Sequence, residues 1–397
     1  MLEIILAVAA GTILGIITGL VPGLHINLVA AMMLSASSLL LEFASAEAVA
    51  VMIVAMSITH VFVDFIPSVF LGAPSDATAL AVLPGHKLLL KGRGYEAVYL
   101  SAAGCMWSII AITIFLPALL PVVKSAFAFL EPHIGIVLAF LLLQNVIRRK
   151  ASLWWNFLVV AASGMLGVFA LGIPNVKQPL LPLLSGLFGL STLLASYFQN
   201  LGIPIQVTES AKISISKKAK AVFAGALSGG AVGIFPALGP AQAAMLAGSV
   251  LGKADERQHL MTLGAVSASS MLFGIVTLYA IGKARNGSIA IMSEFLGLNS
   301  ATFLQMVAAA VASCGIAFLI TILLARFFAR NIYRIDYRKA AGSVIVFIVG
   351  ATALFSGIAG LVILATGTAI GTLAIEKNVP RYCLMSCLML PVIFYYL

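Results

Sequence analysis

Few side chains in this 397-residue chain can do charge chemistry, and a handful of them lie inside apolar sequence. His60 and Asp64 stand four apart, so on a helix they share one face and lie within reach of each other. Ser75, Asp76 and Thr78 follow Pro74 in the run Gly72-Ala73-Pro74-Ser75-Asp76-Ala77-Thr78. An aspartate there can cap a short helix or bind a cation, and the hydroxyls can donate to an oxyanion. Pro22 and Gly23 precede His25 and Asn27, while Pro236 and Gly239 precede Gln242. Ser267, Ser269 and Ser270 form a further polar group in the middle of an apolar run. Serines so placed either donate to a substrate or bond back to their own helix. A carboxylate taken out of water is neutralised by a proton or by Na⁺. His60, Asp64 and Asp76 are therefore the candidate carriers of a coupled cation. The competing reading puts His60 and Asp64 at a membrane edge, near Pro67.

Enzymatic chemistry lacks its equipment. There is no His/Cys grouping with metal-ligand spacing, no phosphate-cradling Gly-Lys-Ser/Thr loop and no Gly-x-Ser-x-Gly elbow. Asp64 and Asp76 could pass for an intramembrane protease pair, but both lie beside expected loops. The chain is expected not to be an enzyme, with no metal and no cofactor beyond a co-transported H⁺ or Na⁺. Cys105, Cys314, Cys383 and Cys387 all lie in apolar context and read as packing residues.

The elements that position these residues follow from composition. The chain is 62% hydrophobic and 9% charged, with a mean hydropathy of +1.13. Soluble domains carry about 25% charged residues, so one globular core could not hide this surface. The expectation is an all-α polytopic membrane protein of the cell membrane, with about ten to twelve transmembrane segments. Long unalternating runs such as residues 109–123 exclude a β-barrel. Residues 1–20 lack a basic leader and a small-residue cleavage site, so they read as a retained helix. The net charge of +10 reflects cytoplasmic loops against anionic lipid, and no pattern suits nucleic acid.

Proline and glycine should break the helix entering residues 22–25, because proline removes a backbone donor and glycine relaxes the backbone. Inside a bilayer such a break is tolerated where it lines a wet cavity or is buried in protein. The pattern recurs: 229 − 15, 233 − 19 and 236 − 22 are each 214 for the Gly, Gly and Pro of the two stretches. Paired broken helices are what an internally duplicated transporter presents at its substrate site, and tight helix crossings with a proline kink are the alternative. Residues 70–78 are small and polar between flanks too short to span twice, which fits a re-entrant hairpin with Ser75, Asp76 and Thr78 near its tip. Basic loops at 87–93, 148–150, 212–220 and 326–339 are assigned to the cytoplasm, and matching loops of the two halves then fall on opposite sides. The expected plan is a first inverted repeat over 1–131, scaffold helices and a linker over 132–216, a second repeat over 217–330, and C-terminal membrane helices over 331–397.

Several motifs carry a resemblance. They are Gly19-Leu20-Val21-Pro22-Gly23-Leu24-His25; Gly72-Ala73-Pro74-Ser75-Asp76-Ala77-Thr78 running on to Lys91-Gly92-Arg93-Gly94; and Leu183-Leu184-Ser185-Gly186-Leu187-Phe188-Gly189-Leu190-Ser191. Gly233-Ile234-Phe235-Pro236-Ala237-Leu238-Gly239 and residues 371–381 complete the set. In this order the chain resembles the large membrane permease subunit of tripartite tricarboxylate transporters, the TctA-like family, in a compact archaeal-type form. That resemblance implies a secondary active transporter for a small organic anion such as a carboxylate, driven by an ion gradient. It also implies a small membrane subunit and an extracytoplasmic binding protein as partners, and oligomers are compatible with it. Typical bacterial members are longer and have Asn-Thr-Pro-Gly-Thr at residues 72–76. The paired loops also resemble transporters of polyprenyl-phosphate lipid carriers, and a non-transporting membrane scaffold is a third reading.

Overall fold

A computed structural model describes residues 1–21, 26–72, 78, 82–130, 133–147, 153–172, 176, 179–194, 204–209, 213–234, 240–251, 255–284, 286–332 and 337–396. Among them the secondary structure is helical throughout. The helices are α1 (Leu2–Leu20), α2 (Ile26–Ser35), α3 (Ser37–Phe43), α4 (Ala46–Val63), α5 (Phe65–Phe70), α6 (Val82–Leu90) and α7 (Gly94–Leu130). Next come α8 (Ile134–Ile147), α9 (Leu153–Gly172) and α10 (Leu180–Leu194, with a π-helical stretch at Ser185–Leu190). The second half holds α11 (Ile215–Ile234), α12 (Pro240–Leu251), α13 (Glu256–Ile281), α14 (Gly287–Phe295) and α15 (Ser300–Asn331). The chain finishes with α16 (Tyr337–Glu376) and α17 (Arg381–Tyr396). Seven of the described helices are long and apolar enough to cross a membrane, and three shorter apolar helices accompany them. This is a polytopic all-α membrane protein.

Two helices form the centre. Nearly every side chain of α4–α5 and of α13 is buried. By contrast α7, α15 and α16 turn Phe115, Leu319, Leu323, Leu354 and Ile358 outward. Lipid tails are as apolar as leucine, so these outer faces need no protein partner, and close packing must hold the centre together.

Glycines provide that packing in the same way twice. A Cβ on Gly15 would sit 2.6 Å from the Cβ of Thr59, and one on Gly19 would sit 2.8 Å from the Cβ of Val63. A Cβ on Gly229 would sit 2.8 Å from the carbonyl of Val266, and one on Gly233 would sit 2.8 Å from the Cβ of Phe273. The bare glycine face therefore lets α1 lie against α4, and α11 against α13, at backbone distance. In both pairs the contacts advance together along the two chains, so the paired helices run parallel. The helices between them, α2–α3 and α12, make the return. The offset of 214 holds for the helix ends too, since 234 − 20 and 240 − 26 both give it. The second helix of each pair follows at 210: 273 − 63 for the glycine neighbours, and 255 − 45 for the N-caps Ser45 and Asp255.

The two pairs run in opposite directions. Gly94, at the start of α7, lies against Phe70 at the end of α5. Glu96, one turn on, meets Arg257 at the start of α13 (2.7 Å). So α4–α5 arrives at the face from which α7 and α13 both depart. Along α7 and α13 the contacts continue in step, with Cys105 Sγ donating to the Gly264 carbonyl (3.2 Å). The same face gathers Lys87 and Lys91 on Glu256 (3.6 and 3.3 Å) and Lys217 on Asp255 (2.7 Å). Three of the four basic loops expected to share a side thus have described residues at one end of the molecule: Arg326 bonds the Tyr95 hydroxyl there (3.3 Å). The fourth, 148–150, lies outside the described residues.

Helices α9, α10, α16 and α17 have a core of their own, built from Val159, Leu183, Leu187, Phe188, Cys383 and Cys387. The expected linker is more than a spacer. Gln206 is buried, accepts from the Gly94 N–H (2.8 Å) and donates to the Leu89 carbonyl (3.0 Å), while the Val207 N–H donates to the Gly92 carbonyl (2.8 Å). It clasps the turn between α6 and α7.

Candidate functional site

Each half returns to the interior and leaves it again along a short helix. In the first half α5 ends at Phe70, yet Thr78 has returned to the level of Asp64: its Oγ1 donates to Asp64 Oδ2 (3.2 Å). Ser68 Oγ reaches the Thr78 carbonyl at 3.4 Å. From there α6 runs out again, its Gly85 against Val69 and its Leu89 by Gly94. In the second half α13 ends at Gly282, whose left-handed φ of +67° turns the chain back. Asn286 then lies at the level of Met271 and Gly274, with Nδ2 donating to Met271 Sδ. Helix α14 leads out to the level where Tyr279 stacks on Phe303 at 4.2 Å. Both halves therefore contain a re-entrant hairpin.

The first hairpin is ionisable. His60 in the last turn of α4 and Asp64 at its C-terminal cap lie one turn apart, and both are buried. His60 Nδ1 lies 3.1 Å from Thr18 Oγ1 on α1, and Thr18 also donates to the Gly15 carbonyl (3.2 Å). One surface thus joins α1, α4 and the hairpin through a histidine, an aspartate and two threonines. In a low-dielectric interior such bonds are strong, and a proton or small cation there has ready partners.

The polar contacts that the second hairpin makes with α2, α4 and α13 are neutral. Asn286 caps α14 by accepting from the Ser288 N–H (3.1 Å). Ser288 Oγ lies 2.8 Å from Ser57 Oγ on α4, so the hairpin of the second half touches the central helix of the first. Gly287 packs on the Asn27 side chain of α2, where an added Cβ would meet Asn27 Nδ2 at 2.9 Å. Ser269 Oγ lies within bonding distance of the Ala265, Val266 and Gly225 carbonyls (2.6, 3.0 and 3.2 Å). Ser270 donates to the Ser267 carbonyl (2.8 Å). Ser267 Oγ is buried and has no hydrogen-bond partner among the described residues. Such a group typically costs about 1–3 kcal/mol.

Of the residues singled out in the sequence, the structure brings His60, Asp64 and Thr78 together, and it places Asn27 at the second hairpin. Pro22, Gly23, His25, Pro74, Ser75, Asp76, Pro236 and Gly239 lie outside the described residues. Gln242 is on α12, and its side chain is outside them as well. Sequence reasoning missed Thr18, Ser57, Asn286 and Ser288. The Asn286-Gly287-Ser288 run is a helix-start signal that could have found the last two. Among the described residues no cluster of His, Cys, Asp or Glu could hold a metal ion.

Helix pairs closed on bare glycine faces, paired re-entrant hairpins and a buried polar centre are the construction of a membrane transporter. The sequence profile of the tripartite tricarboxylate transporter TctA family matches residues 5–386, and the chain belongs to that family. It is a multi-pass protein of the cell membrane and a component of that transport system. The chain is also 28% identical to the uncharacterized protein MJ1079 of Methanocaldococcus jannaschii over 400 residues, covering 98% of this chain and 97% of the relative. No solved structure matches it.

Proposed function

We propose that this chain is the permease of a secondary active transporter that moves a small organic anion, a carboxylate, at the expense of a proton or sodium gradient. In this reading residues 1–131 and 217–330 are inverted repeats, and 132–216 with 331–397 are the scaffold that holds them. Opposite running directions and the constant 214-residue offset of the glycine ladders support the division. Substrate sits between the proline loops and the two hairpins, near Pro22, Gly23, His25, Asn27, Pro74, Ser75, Asp76, Thr78, Pro236, Gly239, Gln242, Ser267, Ser269 and Ser270. A small membrane subunit and an extracytoplasmic binding protein complete the system.

The observation that carries the coupling is the buried His60–Asp64 face, tied to α1 by Thr18 and to the first hairpin by Thr78. Cation loading at Asp64 competes with its bond from Thr78, so loading and hairpin position are linked. Asp76 is the alternative carrier. Purified protein in proteoliposomes, supplied with labelled citrate and imposed proton and then sodium gradients, tests the reading. Accumulation should follow one of the two gradients. Asp64→Asn should abolish it and leave citrate exchange running, whereas Asp76→Asn should do so if Asp76 carries the cation. Failure to move citrate or any smaller carboxylate under either gradient, with the partner subunits supplied, overturns it.

A further inference from the structure

Nothing in the sequence drew attention to the first turn of α14, and the structure gives it the properties of a ligand site. Its N-terminus is aimed inward, two turns below the end of α13, at the junction of the two halves. Ser57 and Ser288, hydroxyls from opposite halves, meet there at 2.8 Å, and both are buried. Ser267 supplies the independent observation. On α13 it shares a helical stripe with Met271 and Gly274, the two residues that touch Asn286. Its hydroxyl is 1% exposed and has no partner among the described residues. A buried hydroxyl left unmatched beside a helix start is a donor kept for something that is absent from the protein itself.

The sign of that ligand follows from its surroundings. A helix N-terminus presents about half a positive charge, which repels a cation and attracts an anion. Ser57, Ser267, Asn286 and Ser288 make no hydrogen bond to an acidic side chain among the described residues. Hydroxyl and amide groups can donate to two oxygens of one planar group without the desolvation cost of a buried arginine. We propose that the first turn of α14, with Ser57, Ser288, Asn286 and Ser267, is a subsite that binds a carboxylate group of the transported anion. This rests on the carboxylate reading above and adds to it the residues that fix one end of the substrate.

The test measures binding directly. Detergent-purified full-length protein is titrated with citrate, succinate and acetate, following its melting temperature and the binding of labelled ligand. Ser57→Ala and Ser288→Ala should each weaken carboxylate binding about tenfold or more, the effect of losing a hydrogen bond to a charged group. Ser267→Ala should weaken binding while leaving the melting temperature of the unliganded protein unchanged or higher, because it removes a hydroxyl with no partner. A merely structural serine would not separate the two readouts in that way. If the wild type binds carboxylates and all three variants bind equally well, this subsite is wrong and the transport reading stands. If the wild type binds none of the three acids, both fall. If sodium chloride alone raises the melting temperature and the variants lose that response, the site takes a cation and the proposal is overturned.

Discussion

The two hairpins lie in matching frames and present different chemistry. At the offsets that superimpose the glycine ladders, Thr18 corresponds to Val232, His60 to Ser270 and Asp64 to Gly274. Every ionisable group of the first cluster is thus replaced by a small or neutral one in the second. Ser57 and Ser267 correspond and are serine in both, but Ser57 meets Ser288 while Ser267 meets no described partner. A duplicated scaffold can bring a cation and an anion to one interface if its copies diverge in charge. In the proposed function, symmetry sets where the sites lie, and its local failure sets what each site takes.

The largest expected effect concerns the joint between the halves. Glu96 is fully buried between Arg93 (3.0 Å) and Arg257 (2.7 Å). Glu96→Gln leaves two partly exposed guanidinium groups facing a neutral amide, and losing hydrogen bonds to a charged group costs about 1.5–3 kcal/mol. Its melting temperature in detergent should fall sharply, while Lys91→Gln, at an exposed pair, should cost under about 1 kcal/mol. Equal losses would mean that Glu96 does not hold the halves together.

Next in size is the division of labour. One charge coupled to a gradient of about 100 mV is worth about 2.3 kcal/mol, or about a fiftyfold accumulation. Asp64→Asn should forfeit that factor, whereas Ser270→Ala, at the position matching His60, should raise the substrate concentration needed for uptake and leave the factor intact at saturating substrate. Loss of accumulation in both would erase the contrast between the hairpins.

The likeness of the frames can be broken separately. Gly15→Ala and Gly229→Ala each force a methyl group onto a neighbouring helix, and overpacking of this kind costs about 1–3 kcal/mol. Thermal melts should show comparable losses. A large effect at one site with none at the other would show that the ladders are not equivalent.

The smallest effect is a pH dependence at the helix caps. Lys217 above all, then the Gln258 N–H, holds the Asp255 carboxyl below its ordinary value. A depressed folded value means a stabilisation present above the unfolded pKa and lost as pH falls through the folded one. Melts in acid should show this loss, and Asp255→Asn should remove it. The matching cap in the first half, Ser45, carries no carboxyl of its own, and its N–H donates to Glu3 on α1 (2.6 Å), so Asp255→Asn should leave the acid dependence of that contact unaltered.

Much of the frame was legible in the sequence because it rests on local signals. Apolar runs give helices, Pro-Gly punctuation gives the breaks, and a constant glycine spacing gives the ladders. His60 and Asp64 were legible as a pair because they are one turn apart. Their partners were not. Thr18 lies 42 residues from His60, and Ser57 lies 231 from Ser288, so nothing in local spacing records either contact. Gln206 read as part of a linker because polar sequence looks solvated until its hydrogen bonds are seen. Parallel pairing of α1 with α4 was also hidden, since it depends on α2–α3 turning back between them.

That parallel pairing sets an order on biogenesis. Helix α1 leaves the insertion machinery with its glycine face uncovered, because no neighbour adjacent in sequence can cover it. Cover arrives with α4, so residues 1–63 enter the bilayer before the first tight contact closes. The second half repeats the delay, with α11 waiting for α13. The α7 face around Gly104 then waits longer still, until Met261 and Ala265 have been made. Of the three contacts, the α7–α13 docking closes the longest loop and carries the greatest loop-closure cost.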